Sequence, residues 1–168
     1  GKKILKEGDI VGLDLGVEYK DFYTDAAVSV PVGKTDKLKM KLIACANECL
    51  SDALAVAIAG NYTGDIGFAI ERRAKKYGFS VVRDLVGHGV GKSVHEDPEV
   101  PCFGKPGTGT KLVEGMVLAI EPMINAGLGG IHFLSDGWTV KTIDGKPSAH
   151  VEHTVLIKKD GCEIITTV

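Results

Sequence analysis

The segment Gly115-Met-Val-Leu-Ala-Ile-Glu-Pro-Met123 combines an apolar run with a carboxylate at its end. Its apolar run is short and lies between a glycine and a proline, which favours a buried strand over a helix. Alternate side chains of a strand share a face, so Val117 and Ala119 lie on the side of Glu121. A carboxylate that leaves such a strand shifts its pKa, meets a cation or is solvated at the sheet end. Taken alone, Glu121 fits a solvated acid.

An earlier stretch repeats this pattern. Glu7-Gly-Asp-Ile-Val-Gly-Leu-Asp14 matches Glu114-Gly-Met-Val-Leu-Ala-Ile-Glu121, with an acid and a glycine at the start and a carboxylate at the end. Downstream of each copy comes a second acid with a β-rich run, Asp25 in the first and Glu152 in the second. Two strand pairs with a carboxylate on every strand indicate an internal duplication whose halves face each other. A repeat this short also arises by chance.

The composition is that of one globular domain, and it argues against several classes of function. The 168 residues are 44% hydrophobic and 25% charged, with a net charge of -2. A chain of this length buries roughly two-thirds of its unfolded surface. The small net charge provides no electrostatic basis for binding nucleic acid or a membrane surface. No apolar run approaches the ~20 residues of a membrane span, and no signal-peptide pattern opens the chain.

The four cysteines form neither a disulfide framework nor a zinc motif. They are Cys45, Cys49, Cys102 and Cys162. Cys45 and Cys49 lie one helical turn apart, which suits a core stripe better than a zinc pair that lacks two further ligands. We therefore expect reduced structural thiols, as is usual in the cytoplasm.

Residues 9–30 are predicted to form a β-hairpin. Asp14 and Asp25 are eleven positions apart. A four-residue turn, Glu18-Tyr-Lys-Asp21, would place these two acids directly opposite each other. Like charges at opposite positions repel, and a shared divalent cation would turn that repulsion into coordination.

Two structural helices are expected next. The first spans 36–59, opens at Thr35 or Asp36, and ends at Gly60. Its apolar stripe consists of Leu38, Leu42, Cys45, Cys49, Ala53 and Val56. The second spans 64–77, with Thr63 as its N-cap and Gly78 as its C-cap. Strands are expected at 79–83, 115–124, near 138–143, at 150–158 and near 162–167, and the Pro- and Gly-rich region 96–110 is expected to be a loop.

Gly87-His88-Gly89 places an imidazole between two glycines, which let a metal ion, a substrate or another backbone approach closely. A lone histidine in this position is often structural. Together with the strand carboxylates it completes a set of five: Asp14, Asp25, His88, Glu121 and Glu152. Four carboxylates and one imidazole suit two divalent cations, of manganese, iron, cobalt or zinc, bridged by carboxylates and a water.

Gly91-Lys92-Ser93 has the ending of a phosphate-binding P-loop, but the rest of that motif is absent. The motif requires a glycine five residues before Gly91, where this chain has Val86. A helix should also follow, and none is predicted there. The sequence therefore excludes a P-loop.

The motifs together resemble those of a known family. Over essentially its whole length the chain resembles the type I, bacterial-type methionine aminopeptidases, which are pita-bread metallopeptidases. The motifs that carry the resemblance are Asp14 with Asp25, Gly-His88-Gly-Val-Gly, Val94-His95-Glu, Ile-Glu121-Pro-Met, Asp136-Gly-Trp138-Thr and Glu152-His-Thr. The resemblance implies an α+β pita-bread fold, a pseudo-two-fold antiparallel sheet with helices on its outer face.

The resemblance also implies roles for individual residues. It implies that the five residues above are the metal ligands, that Asp25 and Glu152 bridge two divalent ions, and that Glu121 is the general base. His95 corresponds to a histidine that contacts the substrate and stabilises the tetrahedral intermediate, and Trp138 to a residue lining the methionine pocket. Without the resemblance, His95 would fit a surface histidine and Trp138 a core side chain.

The implied function is a dinuclear-metal aminopeptidase that removes the N-terminal methionine from nascent polypeptides in the cytoplasm. The implied partners are nascent chain N-termini at the ribosome, with no nucleic acid, no membrane, and a monomer when complete. One alternative is a proline-specific pita-bread peptidase, but such members usually carry an extra histidine where this chain has Lys92 and Ser93. A second alternative is an inactive truncated binding module on the same scaffold.

The resemblance departs at the N-terminus. Family members carry about half of the first pseudo-repeat before the position that matches Gly1, including part of the methionine pocket and another substrate-contacting histidine. We therefore expect a single catalytic domain over residues 1–168, with an incomplete pseudo-repeat at 1–33 and a complete one at 34–168.

Overall fold

The computed structural model describes residues 3–167. Within that range the helices are α1 (Lys37–Leu54) and α2 (Thr63–Tyr77). The strands are β1 (Ile10–Tyr19), β2 (Phe22–Pro31), β3 (Ser80–Val81), β4 (Val86–Gly89), β5 (Glu96–Pro101), β6 (Val117–Ile120), β7 (Met123–Asn125), β8 (Ile131–Phe133), β9 (Val140–Thr142), β10 (Ser148–His150), β11 (Glu152–Lys158) and β12 (Gly161–Ile164). The architecture is the α+β pita-bread fold that the resemblance implies: a curled antiparallel sheet with two helices.

The main sheet has the strand order β1-β2-β11-β6-β4-β5, and β12 pairs with β11. The strands that bear the predicted carboxylates, β1, β2, β11 and β6, are therefore consecutive neighbours. Two smaller sheets, β10-β7-β3 and β8-β9, complete the strand pairing. On β11, Val155 and Ile157 point into the apolar core, whereas Glu152 and Thr154 are buried on the opposite face.

The hairpin is confirmed, but the predicted four-residue turn is wrong. Tyr19 pairs with Phe22, so the turn consists of Lys20 and Asp21, whose φ angles are 51° and 63°. A two-residue turn with positive φ matches the twist of the flanking strands better than a longer turn does. The shorter turn gives β1 and β2 a pairing register that differs from the predicted one.

Asp14 and Asp25 are consequently not opposite each other. Asp14 pairs with Ala27, and Asp25 pairs with Gly16. The two acids are diagonal neighbours on the same face, a relation that separates residues by about 7–8 Å. The expectation that they share a face holds, and the expectation of direct opposition is wrong.

Helix α1 begins where predicted but is shorter. The Asp36 side chain caps it by accepting a hydrogen bond from the amide of Lys39 (2.9 Å). It ends at Leu54 because the next segment bonds elsewhere; for example, Ala59 N–H donates to the carbonyl of Lys158 on β11. The predicted stripe is wrong at Leu38, which is 45% exposed, while Leu42, Cys45, Cys49 and Ala53 are buried.

Helix α2 ends at Gly78 as predicted, with a left-handed φ of 77°. The predicted N-cap, Thr63, is wrong by one residue. The cap is Tyr62, whose amide donates to the side chain of Asp65 (2.8 Å). The Thr63 hydroxyl is used elsewhere, since it accepts a hydrogen bond from the amide of Thr110 (3.2 Å).

The expected loop at 96–110 contains a strand. Residues Glu96–Pro101 form β5, an edge strand paired with β4. Prolines are tolerated at sheet edges because no amide is needed on the open side. The expected strand at 115–124 is interrupted at Glu121 and Pro122, which separates β6 from β7 in different sheets. This break directs Glu121 out of the ladder.

One face of the β1–β2 hairpin is apolar and exposed. Its larger side chains are Leu13, Leu15, Val17, Val28 and Val30, which are 38–66% exposed. They alternate with the site-facing residues of the same strands, including Asp14 and Asp25. Helices α1 and α2 cover other strands, chiefly those that follow them in the chain. No helix in the described range is long and apolar enough to cross a membrane.

Candidate metal centre

Small side chains form the floor of the candidate site. Across neighbouring strands, Thr154 pairs with Ala119 and Ala119 pairs with His88. In the adjacent row, Glu152 pairs with Ala27, which itself pairs with Asp14. The alanines leave room above the sheet, and the polar side chains around them point into that space. Directly paired and diagonal residues on one face are within reach of one another.

Three buried side chains converge there. Asp25, His88 and Glu152 each offer a ligand atom, and these atoms lie within 4.8 Å of one another. Their residues are 2–9% exposed. Of the five residues predicted as ligands, the structure brings these three together most closely.

The tautomer of His88 follows from its backbone contact. Its Nδ1 lies 2.9 Å from the carbonyl oxygen of Gly89, which can only accept, so Nδ1 carries the proton. The lone pair is then on Nε2, which lies 3.4 Å from Glu121 Oε1 and 4.0 Å from Asp25 Oδ2. Metal-binding imidazoles are commonly oriented by such a hydrogen bond from the other ring nitrogen.

Glu152 is the most deeply buried acid of the site, and its Oε1 has no hydrogen-bond partner among the described residues. Burial, together with the nearby carboxylates of Glu121, Asp25 and Asp14, raises the pKa of this carboxyl to about 9. An unpartnered buried carboxylate is costly in an apolar interior. A divalent cation would remove that cost.

Glu121 and Asp14 line the same space, and each of them lies close to a ring nitrogen of His150. The Nε2 atom of His150 lies 3.3 Å from Glu121 Oε2, and its Nδ1 atom lies 3.9 Å from Asp14 Oδ2. The His150 Nε2 atom has no hydrogen-bond partner among the described residues, so its approach to Glu121 is a close contact without hydrogen-bond alignment. The Asp14 side chain is 57% exposed, whereas Glu121 is 12% exposed.

Thr154 is a supporting residue that the sequence analysis missed. Its hydroxyl accepts a hydrogen bond from the amide of Asp25 (2.8 Å) and donates one to the carbonyl of Asp25 (2.7 Å). It thereby fixes the strand that presents the Asp25 carboxylate. Its place in Glu152-His-Thr, two residues from an acid on the same strand face, was the available signal.

The glycines beside His88 provide space, though for neighbouring strands. A β-carbon on Gly87 would lie 2.5 Å from the carbonyl oxygen of Ala119 and 3.3 Å from Glu121 Cγ. A β-carbon on Gly89 would lie 2.2 Å from the carbonyl oxygen of Asp97. Both positions therefore require glycine for strand packing, and Gly87 also allows Glu121 to pack over β4.

His95 is placed beside the cluster, and Trp138 is not. The ring centroids of His95 and His88 are 4.3 Å apart, with the planes tilted by 58°. Trp138 lies in the turn between β8 and β9 with 88% of its surface exposed. The methionine-pocket role of Trp138 therefore stays a prediction.

The donor set fits a divalent cation of the first transition series. It combines acidic oxygens with a neutral imidazole nitrogen, and it includes a buried carboxylate oxygen that has no hydrogen-bond partner within residues 3–167. Such mixed sets bind manganese, iron, cobalt or zinc. Asp25, His88 and Glu152 would hold such an ion, with Glu121 and Asp14 at its edge.

Comparisons with known proteins agree with this chemistry. A model of metallopeptidase family M24 matches residues 1–159. The methionine aminopeptidase of Clostridium perfringens is 50% identical over 168 residues, which is 100% of this chain and 68% of that protein. Methionine aminopeptidase 1 of Bacillus subtilis is 44% identical with the same coverage.

A solved structure shows the same fold. The crystal structure of methionine aminopeptidase from Thermotoga maritima superposes with a TM-score of 0.97 at 46% identity, covering 99% of this chain and 67% of that one. In each of these comparisons the chain spans about two thirds of its relative. The family model and the similarity over the whole of this sequence show that the chain belongs to metallopeptidase family M24.

Proposed function

We propose that this protein is a metal-dependent aminopeptidase that removes the N-terminal methionine of polypeptides. The observation that carries the proposal is the convergence of Asp25, His88 and Glu152 in one buried cluster beside Glu121. The relatives that match all of this chain at 44–50% identity are methionine aminopeptidases, which supports the choice of substrate.

The proposal includes two divalent cations, of manganese, iron, cobalt or zinc. Three ligands form the buried cluster, and Asp14 and Glu121 flank it through their contacts with His150. A carboxylate can offer two oxygens to two ions. Asp25 and Glu152, which lie on adjacent strands, are the proposed bridges.

Each residue has a proposed part in the reaction. Divalent cations in this cluster would supply Lewis acidity, which polarises a peptide carbonyl and lowers the pKa of water. Glu121, at the end of β6, is positioned to accept a proton and return it to the leaving amine. His95, whose ring lies beside that of His88, is positioned to donate a hydrogen bond to the oxygen on which charge develops. We keep Trp138 as a proposed part of the methionine pocket.

The proposed substrates are nascent polypeptide N-termini, met at the ribosome in the cytoplasm. The four cysteines are free, which agrees with a reducing compartment. Burial raises the pKa of the Cys102 thiol to about 12, so this cysteine is unreactive.

The test is peptide hydrolysis by the 168-residue protein in Mn²⁺ or Co²⁺. Release of methionine from a Met-Ala peptide is measured for the wild type, for His88→Ala and for the exposed control His132→Ala. Since loss of residues that merely support metal ligands costs 10- to 100-fold, we expect loss of the ligand to lower kcat/KM by at least about 100-fold. The control should match the wild type.

Other outcomes would favour the alternatives. Selective cleavage of Xaa-Pro peptides would indicate a proline-specific peptidase. Metal binding with no hydrolysis of any peptide would indicate a binding module. Undiminished methionine release by His88→Ala would exclude this site.

A further inference from the structure

The loop that carries His95 is closed by an acid without an assigned role. Glu96 Oε1 accepts hydrogen bonds from the amides of Lys92 (2.6 Å) and Ser93 (2.8 Å). Within the loop, Gly91 N–H donates to the carbonyl of Ser93 (3.2 Å). The resemblance of Gly91-Lys92-Ser93 to a P-loop ending has a structural counterpart here, because consecutive amides of the loop converge on an anion. The anion is the carboxylate of Glu96 itself.

The carboxylate fits because residue 91 has no side chain. A β-carbon on Gly91 would lie 2.8 Å from Glu96 Oε2 and 3.1 Å from Oε1. Any side chain at position 91 would therefore push the carboxylate away from the two amides.

Both ends of the loop are anchored to the metal-site strands. Val90 N–H donates to Val117 at the start of β6, and the carbonyl of Gly91 accepts from Tyr23 N–H on β2. At the other end, Glu96 pairs with Gly89 on β4. Between these anchors, the hydrogen bonds to the Glu96 carboxylate hold the amides of residues 92 and 93, and the Gly91–Ser93 hydrogen bond holds the carbonyl of residue 93.

We propose that Glu96 is a positioning residue that holds His95 against His88. The two hydrogen bonds to its carboxylate hold the amides of residues 92 and 93 close to Glu96 and so fix the shape of the loop. The shape of the loop sets the direction from which the His95 imidazole approaches His88 and the cluster of candidate metal ligands. The inference rests on the proposed function, in which His95 faces the substrate. Glu96 itself contacts backbone amides, so it acts on the reaction only through His95.

The test measures kcat and the melting temperature of Glu96→Ala and of two controls. Glu96→Gln keeps an acceptor oxygen at the same position. Glu99→Ala removes an exposed acid from the same strand. Misplacing a substrate-contacting group by about 1 Å costs up to ~10²-fold in rate. We expect Glu96→Ala to lower kcat by about tenfold or more, Glu96→Gln to restore most of it, and Glu99→Ala to change nothing. The melting temperature should stay near that of the wild type in all three.

A second readout does not depend on activity. The imidazole NMR signals of His95 and His88, assigned by replacing each residue, report their mutual contact in the protein loaded with Zn²⁺, which is diamagnetic and leaves these signals sharp. We expect Glu96→Ala to shift and broaden the His95 signal, and Glu96→Gln to leave it near its wild-type position. Gly91→Ala should reproduce the effect of Glu96→Ala, and combining the two should add little because both break the same contact.

The outcomes separate this inference from the proposed function. An unchanged His95 signal in Glu96→Ala overturns the positioning role, whatever the activity. A displaced His95 signal that Glu96→Gln restores supports the positioning role even if the wild type releases no methionine, in which case the proposed function is what fails.

Discussion

The Glu152 carboxyl is 2% exposed and faces three other acids across the sheet. Its pKa of about 9 lies far above the 4.5 expected in the unfolded chain, with burial as the main cause. The folded metal-free protein therefore binds a proton that the unfolded chain releases. The stability that this group contributes is fully present below pH 4.5 and is lost as the pH rises towards 9.

We therefore expect the metal-free protein to melt at a lower temperature at pH 8 than at pH 5.5. Glu152→Gln, which mimics the protonated acid, should flatten this dependence and raise the melting temperature at pH 8. Mn²⁺ should raise the melting temperature of the wild type at pH 8, because a cation stabilises the charged form. Melting curves in EDTA across pH 5–9 test this. Equal slopes for the wild type and the variant would contradict it.

Thr154 provides a second test at this scale. Thr154→Val keeps the shape of the side chain but leaves the amide and carbonyl of Asp25 without their partner. Leaving buried polar groups unsatisfied costs about 1–3 kcal/mol, so the free energy of unfolding should fall by this amount. Denaturant titration measures it, and calorimetric titration with Mn²⁺ should show weaker binding.

Thr154→Ser is the matched control, because it retains the hydroxyl. Its free energy of unfolding and its Mn²⁺ affinity should lie much nearer to those of the wild type. If Thr154→Val and Thr154→Ser have the same free energy of unfolding and the same Mn²⁺ affinity, the hydroxyl does not support Asp25.

Among the secondary-structure elements, the β1–β2 hairpin has a two-residue turn whose residue types are poorly suited to the turn geometry. Lys20 and Asp21 both have positive φ angles, which cost a lysine about 1–2 kcal/mol and an aspartate less. Asn-Gly is the preferred pair for such a turn.

Replacing Lys20 with Asn and Asp21 with Gly should therefore raise the stability of the protein. We expect a gain of about 1 kcal/mol after the added flexibility of glycine, or roughly 2–4 °C in melting temperature. Asp160→Gly, in the turn before β12, is the control, since Asp160 lacks a positive φ. It should give no gain. A lower melting temperature for the Asn-Gly variant would show that the turn has a different geometry in solution.

The same element shows why the hairpin was predictable and its register was not. Alternating acids and apolar residues indicate two strands. The turn length, however, depends on positive φ angles at Lys20 and Asp21, and neither residue type by itself predicts such an angle. Similarly, the prolines of β5 favoured a loop, whereas an open sheet edge tolerates them. Gly78 was a reliable helix end because its left-handed conformation is a local preference of glycine.

For the whole molecule, the exposed apolar face of the hairpin has a consequence for association. Leu15 is 66% exposed and Leu13 56%, and both lie within one continuous sheet face. Contiguous apolar patches on a surface favour association. The purified 168-residue protein should therefore self-associate through this face.

Leu15→Lys should reduce that association without unfolding the protein, because the residue is exposed. Leu128→Lys, at a site that is 59% exposed and away from the hairpin, is the control and should leave association unchanged. Sedimentation over a concentration series measures the effect. Equal association of the wild type and Leu15→Lys would show that this face is not involved.

Local periodicity and motifs of adjacent residues were enough to predict the α+β class, the two helices, the carboxylate-bearing strands and the family. The strand order that gathers Asp25, His88 and Glu152 became visible only in the folded chain, as did the contacts of Thr154, His150 and Glu96. Asp25 and Thr154 are 129 positions apart and meet through a single hydroxyl. Such contacts depend on the register of several strand pairs at once, and a one-residue slip in any of them would turn the side chains to the other face.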